Sequence, residues 1–148
     1  KYLKEYLSYA ETGRIVDTTI RSSGKPVNSF EAAIMNALIK RGYEVDAQVG
    51  CLSYSIDLCI KDPRDTSRYI LAVECDGASY HSSYSARVSD RLRQEVLESL
   101  GWNVFRIWST DWWRNPHSKL DLLDKLINII ILESDKNEEI KIKNVDSE

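Results

Sequence analysis

Two carboxylates close an apolar stretch of this sequence, where charge is costly unless it has a task. Glu74 and Asp76 follow the apolar residues 70–73, and a glycine and the histidine His81 come soon after them. Because a strand alternates its faces, the two acids project on the same side, about 7 Å apart. A hard divalent cation could bridge one or both of these carboxylates.

A third acid, Asp57, interrupts the strand-like run 53–61, in which apolar residues share the opposite face. If this run pairs with residues 69–75, Asp57 approaches Glu74 and the backbone carbonyl of Cys75. Two carboxylates, a carbonyl and waters form the oxygen set that octahedral Mg²⁺ prefers. Such a metal could acidify a bound water and neutralise charge on a phosphodiester, and hydrolysis of that bond requires both. The alternative is that these acids are solvated or paired with basic side chains.

Other polar and aromatic residues have an ordinary explanation beside a functional one. His81 is a lone loop histidine, and Glu31, in the first turn of a predicted helix, would be an exposed acid by default. One helix side carries polar residues that could be no more than a solvated face: Arg87, Asp90 and Gln94. Tryptophans in and after a strand could stack on bases or pack in the core. We expect Trp102 in the core, and both alternatives stay open for Trp112 and Trp113.

The elements that must position these residues follow from periodicity and turn residues. Helical spacing predicts helices over residues 29–41, 86–100 and 116–132. Alternation predicts strands over residues 43–49, 53–61, 69–75 and 102–108. Short connections make the first three strands antiparallel, and a helical crossover makes the fourth parallel to the third. The sequence therefore predicts an α/β fold of the α+β kind, in the order α-β-β-β-α-β-α, with a four-stranded mixed sheet flanked by helices.

Caps and apolar stripes refine the three helices. Ser29 is expected to cap the first helix, and Gly42 and Gly101 are expected to end the first and second. The second helix has a predicted core stripe of Val88, Leu92, Val96 and Leu100. The last helix is expected to turn four residues inward: Leu120, Leu123, Ile127 and Ile130.

Length and composition are those of one globular domain with a full core: 148 residues, 43% of them hydrophobic and 29% charged. The longest apolar run is far shorter than the roughly 20 residues that span a bilayer, so no membrane partner is expected. The net charge of -3 argues against non-specific affinity for nucleic acids. The three cysteines are an odd number without CxxC spacing, so we expect buried thiols in a reducing cytoplasm rather than disulfides or zinc.

Composition shifts divide the chain. Residues 1–13 are predicted to form a short helix, residues 14–28 a linker, residues 29–133 the main domain, and residues 134–148 a polar, disordered tail. The sequence starts without Met or an apolar signal segment, so we expect it to be cut from a longer polypeptide.

An ordered series of motifs resembles one nuclease family. The motifs are NSFE at 28–31, QVG at 48–50, SIDL at 55–58, VECDGASYHSS at 73–83, DRLRQEVL at 90–97, LGW at 100–102 and RIWSTDW at 106–112. They resemble the restriction-endonuclease-like domain of the very-short-patch-repair (Vsr) type, within the PD-(D/E)xK nuclease superfamily. The most similar version stands at the carboxyl end of helicase-like proteins of superfamily one that act on DNA. Residues 4–11 also resemble the end of such a helicase region.

The resemblance implies a restriction-endonuclease-like core and assigns roles by position. Asp57 and Glu74 match the metal-binding acids, and Cys75 would contribute only its backbone carbonyl. His81 matches a histidine that contacts or orients the water on the metal, and Glu31 matches an acid that helps to hold the hydration shell of the metal. The helix after the motif would place three residues near the DNA phosphates: Arg87, Arg93 and Gln94.

One departure concerns Asp76, which belongs to the catalytic motif but replaces the lysine usual in the superfamily. The water would then need activation by the metal, by His81 or by a residue of the following helix. The leading hypothesis is a DNA endonuclease module that depends on Mg²⁺ or Mn²⁺, with DNA and the helicase region of the same polypeptide as partners. The alternatives are a catalytically weak or inactive DNA-binding or docking module, and a structural domain with solvated acids. The sequence assigns no oligomeric state.

Overall fold

Eight helices and strands follow one another in the part of the chain that the structure, a computed structural model, describes: residues 28–51, 54–77 and 84–145. In chain order they are α1 (Ser29–Lys40), β1 (Val45–Cys51), β2 (Tyr54–Asp62), β3 (Asp65–Asp76), α2 (Tyr84–Ser99), β4 (Val104–Trp108), α3 (Ser109–Arg114) and α4 (Pro116–Val145). The predicted helix over 1–13, most of the linker and His81 lie outside the described residues.

The four strands form one mixed sheet in the order β1-β2-β3-β4. β1 pairs with β2 and β2 with β3 in antiparallel fashion, whereas β3 and β4 are parallel. The parallel pair follows from the crossover through α2, because a strand that returns after a helix enters the sheet in the same direction. The predicted mixed sheet flanked by helices is confirmed.

α1 begins at a cap one residue earlier than expected. The side chain of Asn28, not that of Ser29, accepts a hydrogen bond from the Glu31 backbone N–H, over 2.8 Å. The Glu31 carboxylate accepts one in return from the Asn28 backbone N–H, over 3.3 Å, which completes a capping box. Ser29 is therefore the first helical residue. Gly42 (φ 94°) and Gly101 (φ 91°) end α1 and α2 as predicted, in the left-handed region that glycine tolerates.

The sheet has a core on each of its faces. One core cluster joins α1 and α4 to β2 and β3, through Ile34, Leu123, Leu58 and Val73 among others. The second core cluster includes Leu97 of α2 and residues that alternate with the first set along the same strands, Cys59 and Ala72. Helices thus cover both faces, and the ends of the strands are left as the place for a site.

The core stripe predicted for α2 is correct only at its carboxyl end. Val96 and Leu100 are partly buried, and Leu100 packs against the second core cluster as expected. Val88 is 39% and Leu92 is 54% exposed, whereas Leu97, which lies outside the predicted stripe, is fully buried. In the middle of the helix, Arg93 instead of Leu92 lies toward the sheet. The physical reason is an ion pair between Arg93 and a buried carboxylate of β3, which periodicity along α2 cannot reveal.

α4 extends well beyond its predicted end. Leu120, Leu123 and Ile127 are buried and Ile130 is partly buried, as expected, but the helix continues from residue 132 to Val145 instead of giving way to a disordered tail. The added part holds neither glycine nor proline. An ion pair of 2.6 Å between Arg64 Nη1 and Asp135 Oδ1 ties its first turn to the connection between β2 and β3.

The tryptophans divide between core and surface. Trp102 packs against the second core cluster and stacks on Tyr69 with 5.9 Å between ring centroids, so its predicted core position is confirmed. Trp112 is buried at 2% exposure, and Trp113 is 62% exposed.

The cysteines and the helices also bear on the compositional predictions. All three cysteines are buried and free of disulfides, as expected. Burial raises the pKa of the Cys59 and Cys75 thiols, so both are poor nucleophiles.

Among the described helices, none combines the length and the apolar character that crossing a membrane needs.

Candidate active site

Asp57 lies where β2 and β3 stop pairing through their main chains. Their register runs from Asp62 opposite Asp65 to Leu58 opposite Val73. One residue further, the Asp57 carboxylate takes the place of a ladder carbonyl, since its Oδ2 accepts a hydrogen bond of 2.9 Å from the Cys75 backbone N–H. The carboxylate is therefore fixed at the end of the strand pair by the backbone that it faces.

Glu74 is the most buried acid of β3, with 5% of its surface exposed. Continuing the register by one residue places it opposite Asp57. Its Oε1 accepts a hydrogen bond of 3.1 Å from Arg93 Nη2 of α2, and the two form an ion pair. The pKa of Glu74 is raised to about 7, chiefly by burial; the charges of Asp57 and Asp76 contribute to the rise, while Arg93 opposes it. Its carboxyl is thus poised to ionise near neutral pH.

Asp76 is matched with a basic side chain from the neighbouring strand. Arg106 Nη1 of β4 lies 2.8 Å from Asp76 Oδ2, as an ion pair without hydrogen-bond geometry. Burial raises the pKa of Asp76 despite this partner, and the charges of Asp90 and Asp57 add to the rise. Arg106 thus brings a positive charge beside this acid from β4.

Glu31 is buried at 3% exposure, so the expectation of an exposed acid is wrong. Its Oε1 accepts a hydrogen bond of 3.0 Å from Asn28 Nδ2, and its Oε2 accepts one of 3.0 Å from Gln48 Nε2. The burial is possible because every one of these bonds compensates the carboxylate for lost water. α1 thus carries an acid that a cap and a strand residue hold in one orientation.

Gln48 is the site residue to which sequence reasoning assigned no role. It is 2% exposed and has a left-handed backbone (φ 52°), which is uncommon for a residue with a side chain. Besides donating to Glu31, its side chain accepts a hydrogen bond of 2.9 Å from Ser55 Oγ. Strain of this kind persists only where the surroundings hold it, and it concentrates at functional sites. Its burial could not be read from the sequence, because Gln48 continues the polar alternation of Glu44 and Asp46 along the strand.

Ser55 connects this network to the acids of the sheet. Its hydroxyl donates to Gln48, and its backbone carbonyl oxygen accepts a hydrogen bond from Arg93 Nη2, the same nitrogen that binds Glu74. Hydrogen bonds therefore run without a break from Glu31 of α1 to Glu74 of β3. Ser55 and Arg93 thus link the residue that α1 contributes to the site with the acid of β3.

The structure brings together four of the five predicted catalytic residues: Glu31, Asp57, Glu74 and Asp76. Asp57 and Asp76 both act on the pKa of Glu74, and Asp57 and Glu31 both add to the rise that burial causes in the pKa of the Cys75 thiol. The fifth residue, His81, lies outside the described part of the chain.

The predicted phosphate contacts fare differently from one another. Arg93 is 28% exposed and is bound inside the site. The Gln94 amide donates to Glu98 Oε1 of the same helix over 2.9 Å. The side chain of Arg87 is not among those that the structure describes.

The donor set fits a hard cation by its chemistry. Within the described residues no three His, Cys, Asp or Glu side chains converge on one point. Mg²⁺, however, usually takes one or two carboxylates and fills its octahedron with water and substrate oxygens. Asp57 and Glu74 provide such a pair, and the raised pKa of Glu74 marks a position where added positive charge is favourable.

The family comparison covers the acids of this site. The model of the family described as REase_MTES_1575, which is restriction-endonuclease-like, matches residues 30–127, more than half of the chain. The matched range includes Glu31, Gln48, Asp57 and Glu74. Neither the curated proteins nor the solved structures compared with the chain gave a match.

Proposed function

Because this chain belongs to the restriction-endonuclease-like family REase_MTES_1575, we propose that it is a metal-dependent endonuclease module that hydrolyses phosphodiester bonds of DNA. The family indicates a nuclease domain, and a nuclease domain implies DNA binding. The observation that carries the proposal is the buried Glu74, 5% exposed and set between the charges of Asp57 and Asp76. A buried carboxylate with acidic neighbours is costly in a purely structural role.

The proposed metal is Mg²⁺ or Mn²⁺, held by Asp57, Glu74 and the backbone carbonyl of Cys75. When bound, it would neutralise charge on the scissile phosphate and acidify the attacking water. The protein contributes orientation: the Cys75 N–H fixes the carboxylate of Asp57, and Gln48 fixes that of Glu31. Restriction-endonuclease-like domains generally use divalent metals, and the oxygen donors here favour a hard ion among them.

The remaining roles rest on the sequence motifs. We assign His81 to orienting the attacking water, and Arg87 and Gln94 to contacts with the DNA backbone, where contacts position without reading sequence. The motif string over 73–83 supports the Vsr type, and residues 4–11 support a helicase region in the same polypeptide. A role in DNA repair would follow from that context.

A second function is favoured by Asp76. An acid stands where the superfamily has lysine, and its Arg106 partner is engaged in an ion pair. A module with weak or no cleavage would still bind DNA and dock it for a helicase. In that case the logarithm of the DNA affinity falls linearly with the logarithm of the salt concentration, and added metal produces no cleavage.

A plasmid-nicking assay tests the proposal. Supercoiled DNA incubated with the protein and Mg²⁺ or Mn²⁺ should be nicked, and Asp57→Asn or Glu74→Gln should abolish nicking. Glu95→Gln removes an exposed carboxylate of α2 and should leave nicking unchanged. Nicking that persists in both site variants would refute the assignment. A gel-shift series on the same proteins then identifies the docking function, which requires binding without nicking.

A further inference from the structure

Arg93 is a cation held among the oxygens of the site. Its Nη2 binds Glu74 Oε1 over 3.1 Å and also the backbone carbonyl oxygen of Ser55. Its Cζ lies 5.8 Å from the ring centroid of Tyr54. One nitrogen of a guanidinium thus occupies a place between a carboxylate and a carbonyl oxygen, the two kinds of ligand that a hard cation takes.

The hydrogen bonding of the Arg93 guanidinium is incomplete. Its Nε is buried and has no hydrogen-bond partner within the described part of the chain. A buried donor without an acceptor is costly, and the bonds of Nη2 to Glu74 and Ser55 offset that cost. By contrast Arg106, the other arginine of the site, is paired with Asp76, an acid to which we assign no metal.

Arg93 binds the carboxylate that we assign to the divalent cation. Both carry positive charge, and repulsion between like charges is strong in a poorly solvated site. We propose that Arg93 is a displaceable internal counter-ion: it neutralises Glu74 until a divalent cation binds there, and it then leaves Glu74 with its guanidinium available to a phosphate of the DNA strand. This inference rests on the proposed nuclease function, because the cation is the one that the nuclease requires.

The proposal predicts a gain in metal affinity when the charge of Arg93 is removed. Calorimetric titration with MnCl₂ should show Arg93→Gln binding about tenfold or more tightly than wild type, since removing a neighbouring like charge shifts such equilibria by at least that factor. Arg93→Lys keeps the charge and should stay close to wild type. Asp57→Asn should abolish binding. Arg91→Gln is the matched control, because Arg91 is 83% exposed on the same helix.

A measurement on the wild-type protein tests the same proposal without requiring that a variant folds. In a ¹⁵N NMR titration with MgCl₂, the Arg93 Nε–H resonance should shift with the midpoint of metal binding, because its guanidinium leaves Glu74. The Arg91 resonance should not move.

The outcomes separate this inference from the function on which it rests. If Arg93→Gln binds Mn²⁺ and wild type does not, the result would support the proposal that Arg93 blocks the cation site. If Arg93→Gln binds Mn²⁺ as tightly as wild type or more weakly, or if the Arg93 resonance does not shift at saturating Mg²⁺, Arg93 is not a displaceable counter-ion. Neither result contradicts the proposed nuclease function. If no variant binds either metal and no plasmid is nicked, both proposals fall.

Discussion

Replacing Glu74 by glutamine should remove a pH dependence of folding stability that the buried carboxyl creates. Burial raises the pKa of this group from its ordinary value of 4.5 to about 7, so in the metal-free protein the folded chain keeps a proton that the unfolded chain loses near pH 4.5. The contribution of Glu74 is therefore fully present below pH 4.5 and is lost as the pH rises through about 7. Glu74→Gln has no proton to lose in this window.

The size of the effect follows from the shift. At about 1.4 kcal/mol per pKa unit, the free energy of unfolding of wild type should fall by roughly 3 kcal/mol across the window, relative to the glutamine variant. Glu74 is 5% exposed, so solvent screening reduces this value little. The variant also loses a charge-assisted bond to Arg93. The observable is therefore the change of the stability difference with pH rather than its value at one pH.

This difference is measured by urea unfolding in the presence of a chelator, at several pH values between about 4.5 and 8. Unfolding is followed by tryptophan fluorescence. Glu133→Gln is the control, since Glu133 is an exposed glutamate of α4. Its profile should run parallel to that of wild type. If Glu74→Gln also runs parallel to wild type, the carboxyl of Glu74 is not the group that burial holds protonated, and the reasoning about the site fails.

Three further predictions concern the site and the helix that covers it. A divalent cation should raise the Tm of wild type more at about pH 8 than at about pH 5, because Glu74 is ionised only above about 7; equal shifts at both pH values in a thermal melt would contradict this. Gln48→Ala should lower the free energy of unfolding by roughly 1–3 kcal/mol, because a Glu31 oxygen and the Ser55 hydroxyl lose a buried partner; a change under about 0.5 kcal/mol in urea unfolding would show that the network contributes nothing. Leu97→Ala should lower the free energy of unfolding by about 2–5 kcal/mol, and Leu92→Ala, at an exposed position, by less than about 0.5 kcal/mol. The reverse order in the same assay would show that Leu92, not Leu97, faces the core.

Much of the fold could be predicted because it depends on local chemistry. The alternation of apolar residues along β2 and β3 sets which residues share a face, and glycines at 42 and 101 end the helices through their own backbone preferences. The chain order of strands and crossover then allows few sheet topologies. The end of α4 was mispredicted because polarity was taken for disorder, although residues 133–145 are compatible with a helix and Asp135 has a partner in Arg64.

The candidate site was predictable only in part. Asp57, Glu74 and Asp76 stand out in the sequence because acids interrupt strands of otherwise apolar pattern. The burial of Glu31 could not be foreseen, since it depends on Gln48, a residue of β1 with an unusual backbone conformation. The roles that the resemblance implies for the site residues stay predictions.

The sequence by itself determined the order of the elements and the acids at the strand ends, because both depend on the spacing of residues within a few turns of chain. The tertiary structure decided which face of α2 meets the sheet. Leu92 and Arg93 are adjacent, and helical periodicity favoured the leucine. The arginine lies toward the sheet because Glu74, buried on a different element, needs a positive charge more than the core needs one more apolar side chain. That balance between distant residues exists only in the folded chain.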